Sequence, residues 1–585
     1  MMSQSSTAQS GQLPIGALPS SSSRRAAGSE PSPGLTPLAC LYHWEATRPN
    51  DVHFTQPVGK GSVVDLTWKE ILDEVRRVAA YLRNMGFPKG SKIALLGKNS
   101  AHWIMADWAI WMAGHVTVPL YPTSSPETVQ YVLRHSEARL LFVGKIDGWA
   151  TARERMPADL PIVVLPLGPA WADTKWDGIA AATAPLQGEP DRRLDELATI
   201  VYTSGSTGVP KGVMHTFRAF NVVGTLMRDT MEGAGPNDRM LSYLPLAHVA
   251  ERVVVENQST YFGYRVFFAE SLETFADDLR RARPTIFFSV PRLWTKFHLA
   301  VRAKLSEERE ARLFSLPVVR GIVKRRILRQ LGLDRVRLAF TGAAPLPAET
   351  IEWYRTLGLE LLEAYGMSEN MAYSHFTRPG RARHGYIGHA NLGVECRIGD
   401  DGEILVKSPA QMVGYYKDPL RTAESYTLDG FFRTGDMGEL DGEGRVRITG
   451  RVKDLFKTSK GKYVAPVPIE NVLCTLPRVE AACVAGANKQ APFALLMLTE
   501  AASFESARPE GRDAIAADLR ARLETVNASL EPHEKLAFAV IVDQPWTVEN
   551  GCLTPTIKIR RSAIEARYES RVGTWFETGK HVVWE

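Results

Sequence analysis

Cysteine is scarce in this chain: five in 585 residues, at positions 40, 396, 474, 483 and 552, with no C-x-x-C pair among them. That excludes a disulfide scaffold and the paired-cysteine spacing of a zinc site. Scattered thiols of this kind read as the reduced cysteines of a cytoplasmic protein. An excess of one charge is missing too. The 70 basic and 65 acidic residues leave a formal net charge of +5, too little over this length to suggest a nucleic-acid partner. No window reaches the ~18 consecutive apolar residues of a membrane span. Residues 1–36 are rich in Ser, Gly and Pro and lack the apolar core of a signal peptide. They read as a disordered leader that cannot bury enough surface to fold. No repeat at a solenoid or propeller period is found.

What is present is the composition of a globular protein, 44% hydrophobic and 23% charged, with length enough for several domains. Over 37–452, short β-rich runs alternate with helical stretches. Residues 92–96, 140–143 and 162–165 read as buried strands, and 101–113 and 127–135 as helices between them. This alternation predicts an α/β fold with parallel, doubly wound sheets. From about residue 396 the texture changes to short β runs with Gly-Asp turns, 399–406 and 441–449, which suggest a small antiparallel or barrel section. A boundary near 451–454 leaves 453–585 as a smaller C-terminal α/β domain, with helices at 514–527 and 562–568 and a strand at 538–542.

The strongest local signal is Thr199-Ile-Val-Tyr-Thr-Ser-Gly-Ser-Thr-Gly-Val-Pro-Lys-Gly212. An apolar strand runs into a loop of hydroxyls and glycines closed by a lysine. Gly205 and Gly208 let the backbone approach an anion and turn N–H groups toward it. Thr203, Ser204, Ser206 and Thr207 add hydroxyl donors, and Lys211 adds charge. The segment is no Walker A loop, since no G-x-x-x-x-G-K-[ST] fits it.

This loop resembles the signature loop of the adenylate-forming superfamily, which includes acyl-CoA synthetases, luciferase and peptide-synthetase adenylation domains. The resemblance runs from about residue 41 to 561, with further motifs in order. It is nearest to long-chain fatty acyl-CoA synthetases. It implies a large N-terminal domain, a mobile C-terminal domain, and a loop that holds the β- and γ-phosphates of ATP.

Leu244-Pro-Leu-Ala-His-Val-Ala-Glu-Arg252 is similar to the motif whose histidine, here His248, lines the acyl pocket. The segment 249–255 contains no Trp, so the tryptophan gate of some long-chain enzymes has no counterpart there. Gly342, Ala343 and Ala344 lie in a stretch that resembles the loop on one face of adenine. In Glu363-Ala-Tyr-Gly-Met-Ser-Glu369, the resemblance assigns Tyr365 and Gly366 to adenine and Ser368, where Thr is commoner, to the α-phosphate. Glu369 would hold Mg²⁺, a hard cation suited to carboxylate and phosphate oxygens.

Asp436, in Phe432-Arg-Thr-Gly-Asp436, would accept both ribose hydroxyls, and Arg451 would reach the nucleotide. Lys453 falls on the hinge position. Lys457 and Gly461 belong to the stretch implied to serve thioester formation. Lys558, in Leu553-Thr-Pro-Thr-Ile-Lys558, matches the C-terminal catalytic lysine.

The implied reaction makes an acyl-AMP from ATP and a carboxylic acid, then transfers the acyl group to coenzyme A. The same residues would serve an acyl-AMP ligase loading a carrier protein, a luciferase-like oxygenase, or a non-catalytic nucleotide- or acyl-binding regulator. One segment stands apart from these motifs. Five basic residues interleave with aliphatic ones over 318–329, as in a helix resting on anionic lipid at the membrane periphery. The simpler expectation is a surface helix packed by its apolar side.

Overall fold

Near-continuous apolar runs need cover on both faces, and the central sheet supplies it. Its seven strands lie in the order Gly414–Tyr415, Lys211–Thr216, Leu197–Thr203, Val116–Leu120, Lys92–Leu96, Leu140–Val143, Ile162–Val164. The computed structural model describes residues 34–585 except 155, 172, 173, 204–208, 343, 345, 477 and 555–557.

The helix Ala101–Ala113 is buried on all sides, opened by Ser100 as N-cap and closed by Gly114 in the left-handed region. The helix Trp68–Asn84 is amphipathic. Thr67 and Glu70 form a capping box, and Ile71, Leu72, Val75, Val78, Ala79 and Leu82 face the core.

The expected parallel alternation holds for the middle of this sheet and breaks at one end. Leu197–Thr203 and Lys211–Thr216 pair antiparallel, with Thr203 opposite Lys211. The strands on either side of 204–208 are therefore antiparallel neighbours, not parallel strands joined through a helix. Gly414–Tyr415 extends the same edge, with Tyr415 opposite Val213.

A second sheet has parallel strands Ile286–Ser289, Leu338–Gly342 and Leu361–Tyr365, then antiparallel His375–Phe376 and His389–Ala390. Gly342 pairs with Ala364, so the loops after both strands leave from the same C-terminal edge, where open α/β sheets bind ligands. A third sheet combines Val52–Gly59, Ser62–Thr67, Arg239–Ser242 and Arg265–Phe268. The small section is a four-stranded antiparallel sheet of Glu395–Ile398, Glu403–Lys407, Phe432–Leu440 and Val446–Arg451.

After residue 453 a separate sheet forms from Val479–Ala485, Phe493–Leu498, Ala539–Ile541 and Val582–Trp584. Apolar clusters from residues 456–583 cover its two faces. Residues 35 and 36, assigned to the leader, are docked. Tyr261 Oη donates to the Leu35 carbonyl, and Thr36 caps the helix Pro37–Thr47. Residues 1–33 lie outside the described residues.

Candidate active site

The loops at the edges of the first two sheets, the small antiparallel sheet and residues 453–585 surround one cleft of about 2650 Å³. Thr203, Lys211, His248, Gly342, Ala344, Tyr365, Gly366, Ser368, Glu369, Asp436, Arg451, Lys453 and Lys558 all line it. Ser204–Gly208 and Ala343 lie outside the described residues. Lys457 and Gly461 are not among the lining residues. Lys457 ends the strand Phe456–Lys457 and pairs with Tyr463, its ammonium 5.5 Å from the Tyr463 ring, and Gly461 lies in the turn between them at φ +80°.

At one end of the cleft Lys211 Nζ donates to Glu369 Oε1 at 2.7 Å. Tyr415 Oη donates to the same oxygen at 2.8 Å and lies 2.5 Å from Lys211 Nζ. The ammonium also sits 4.2 Å from the Tyr415 ring centre. Burial pushes the Glu369 carboxyl up, but the Lys211 charge and these hydrogen bonds outweigh it and hold the group below its ordinary range. Ser368 is fixed from below: the buried His215 ring, Nε2 2.6 Å from the Ser368 carbonyl, is kept neutral by burial, which lowers its pKa to about 4. Thr203 Oγ1 and Thr341 Oγ1 are buried without a hydrogen-bond partner among the described residues. Such orphaned hydroxyls suit a polar ligand.

Toward the small sheet, Tyr365 Oη donates to Asp436 Oδ2 at 2.7 Å, and Arg451 Nε donates to Oδ1 at 2.8 Å. Asp436 and Arg451 are direct cross-strand neighbours. The Asp436 charge raises the Arg451 pKa. Gly366 is required by close approach, since a Cβ there would stand 2.5 Å from the Ala372 backbone.

Lys558 enters from the C-terminal side. Two hydrogen bonds join it to Thr554, Thr554 N to Lys558 O at 2.7 Å and Lys558 N to Thr554 Oγ1 at 3.0 Å. Arg561 anchors the chain just after Lys558. It donates to both Glu470 oxygens, at 2.7 and 2.9 Å, and to the Val484 carbonyl at 2.7 Å. The Lys558 side chain keeps access to the cleft's interior, yet the surrounding walls lower its pKa. The Arg451 charge lowers it further and Asp436 opposes. Burial and Lys558 together bring His248 down to about 4. His248 Nδ1 accepts from Ala250 N at 3.2 Å, which leaves the proton of the neutral ring on Nε2.

A model of the AMP-binding enzyme family matches residues 41–416, and one of its C-terminal domain matches 453–580.

The chain belongs to the AMP-binding enzyme family.

Within this adenylate-forming group it stands close to long-chain acyl-CoA synthetases. It is 29% identical to a long-chain fatty-acid–CoA ligase of Mycobacterium tuberculosis, covering 91% of this chain and 96% of the relative. It is 30% identical to the peroxisomal long chain acyl-CoA synthetase 6 of Arabidopsis thaliana, covering 81% and 76%. In fold it is similar to the adenylation domain of a carboxylate reductase from Mycobacterium chelonae, with a TM-score of 0.77, 21% identity and coverage of 93% and 92%.

This AMP-binding enzyme has site residues that sequence reasoning missed. Tyr415 lies in Gly414-Tyr415-Tyr416, which carries no charge or glycine-rich pattern to mark it. Arg252, the end of the His248 motif, does not line the cleft but supports it from the core. It is fully buried and ion-paired with Asp107 and Glu256, and it donates to Thr199 Oγ1 at 2.7 Å. That network ties the His248 segment to the strand that leads into 204–208. Its signal was an Arg and a Glu four residues apart in an otherwise apolar run.

Proposed function

We propose that this enzyme activates a carboxylic acid with ATP and passes the acyl group to coenzyme A, and that the acid is a medium- or long-chain fatty acid. The observation that carries the reading is the convergence of Lys558, Asp436, Arg451 and His248 in the cleft that also holds the Lys211–Glu369 pair. Relatives named as long-chain fatty-acid–CoA ligases support the acid and the acceptor.

In the first step a carboxylate oxygen bonds to the α-phosphorus of ATP, the α–β phosphoanhydride bond breaks, and pyrophosphate leaves. Positioning and charge neutralisation do most of the catalysis. Thr203, Ser204, Gly205, Ser206, Thr207, Gly208 and Lys211 hold the β- and γ-phosphates, and Ser368 the α-phosphate. Tyr365 and Gly366, with Gly342, Ala343 and Ala344, enclose adenine. The two Asp436 oxygens, each already accepting one donor, suit a ribose diol, with Arg451 beside them.

Glu369 fits Mg²⁺, which takes one or two protein carboxylates and completes its shell with phosphate oxygens. Bound there, the ion would neutralise charge on the leaving pyrophosphate. Neutral His248, with its proton on Nε2, orients the acid by a hydrogen bond, and Lys558 bridges the acid's carboxylate and the α-phosphate. Val249, Ala250, Val253, Val254 and Leu299 give that end of the cleft an aliphatic wall for the acyl chain.

In the second step the thiol sulfur bonds to the acyl carbon, AMP departs, and the thiol proton passes to solvent. Residues 453–585 form the mobile C-terminal domain. They turn about Lys453, withdraw Lys558 and bring Lys457 and Gly461 to the cleft.

ATP–pyrophosphate exchange across acids of graded chain length tests the first step, and mass spectrometry for acyl-CoA tests the second. Exchange rising with chain length, followed by acyl-CoA, is expected. Adenylate without acyl-CoA points to a carrier-protein acceptor. No exchange with any acid points to a regulator.

A further inference from the structure

The helix Pro317–Gln330 carries Arg320, Lys324, Arg325, Arg326 and Arg329 and no acidic residue. None of the five enters an ion pair among the described residues. At 100° per residue, Val318, Ile322, Arg325, Arg326 and Arg329 fall within an arc of about 100°. This arc faces away from the protein: Val318 is 78% exposed and Ile322 64%, and the three arginines are exposed. On the other side Ile327, with Val323 and Leu328, packs into the core that contains Trp353, Tyr354 and Leu357. The simpler expectation therefore covers only half of the helix. Its inner aliphatic residues are packed, and a second set is left outside.

We propose that this outward arc is a docking surface for an anionic lipid bilayer. Single exposed aliphatic residues need no explanation. Here two share a face with three unneutralised arginines, and Leu316 adjoins them, 49% exposed. A bilayer surface satisfies both kinds of group. The aliphatic side chains enter the acyl boundary, and the arginines reach headgroup phosphates over their own apolar stems. A nucleic acid would satisfy only the cations. A second copy of this face would bring three more cations against them. The surface is also placed to serve the cleft. The helix packs on Ala348–Leu357, which packs on Pro291–Arg302, and the latter lines the cleft with Thr295, Leu299 and Ala300. The docking surface itself does not depend on which acid the enzyme uses.

Full-length protein is sedimented with vesicles of phosphatidylcholine, and with equimolar phosphatidylcholine and phosphatidylglycerol. Capture by the anionic vesicles alone is expected, with release near ~0.5 M salt, where screening acts within a few ångströms. Each cation at an anionic surface contributes roughly fivefold to partitioning. The triple variant Arg325→Glu, Arg326→Glu and Arg329→Glu should therefore bind at least about tenfold more weakly. Val318→Asp with Ile322→Asp should also lose binding, and thermal melting should show both variants folded. Protein left in the supernatant, or variants that sediment like wild type, overturn the proposal. Capture displaced by duplex DNA and unaffected by Val318→Asp with Ile322→Asp marks a nucleic-acid face instead and overturns it as well.

Discussion

Lys211 and Glu369, 158 residues apart in the chain, hold each other at 2.7 Å in the cleft, and the Tyr415 hydroxyl donates to the same carboxylate oxygen. Phosphate and a metal ion would compete for the two ends of that pair. Glu369→Gln removes the carboxylate charge and should lower kcat for pyrophosphate exchange by about two to three decades. Tyr415→Phe removes one hydrogen bond to a charged group, worth about 1.5–3 kcal/mol, and should lower kcat/KM by one to two decades. Wild-type kinetics in Tyr415→Phe would remove Tyr415 from the site.

Lys558→Ala should abolish most pyrophosphate exchange, by about two to three decades, and leave thioester formation from supplied acyl-AMP nearly intact. Single-turnover assays of the two half-reactions separate these outcomes. Equal loss in both would refute the two-conformation scheme.

Asp436 engages Tyr365 and Arg451 with separate oxygens. Asp436→Ala should raise the KM for ATP at least about tenfold, the loss of one hydrogen bond to a charged group, and change the KM for the acid far less. Steady-state kinetics with each substrate varied decides the point.

Arg252→Met leaves Asp107 and Glu256 buried without their cation. Breaking one side of a buried network typically costs about 3–5 kcal/mol. Urea denaturation should show a loss of that order. Arg252→Met as stable as wild type would show that the network contributes nothing net.

His215 and His375 are fully buried, and burial lowers both to about 4. The unfolded value is near ~6.5. Between those limits the unfolded chain binds more protons, so stability rises with pH. It should be complete above pH ~6.5 and fall as pH drops toward about 4, by up to about 1.4 kcal/mol per unit for each group. Urea midpoints measured across that window check the slope, and His375→Asn should flatten it.

Local pattern and motif order made much of this legible. The strand Lys92–Leu96 and the helix Ala101–Ala113 fall where periodicity placed them. The cleft gathers Lys211, His248, Glu369, Asp436 and Lys558 from five separate motifs. Tyr415 was missed because its role depends on lying opposite Val213, beside Lys211. Pairing across 200 residues leaves no trace in local composition. The parallel expectation failed at Leu197–Thr203 because an antiparallel or a parallel neighbour can follow the same apolar strand.

The sequence by itself determined the chemistry on offer: hydroxyls, glycines and a lysine for an anion, carboxylates for a diol and a cation, and a distant second lysine. Side-chain type and spacing are local properties, and they suffice for that. Only the tertiary structure decided which charges meet, which face of Pro317–Gln330 points outward, and that Lys558 faces the cleft while Gly461 does not. Those outcomes depend on strand register and on the packing of one domain against another, and both are settled by contacts between residues far apart in the chain.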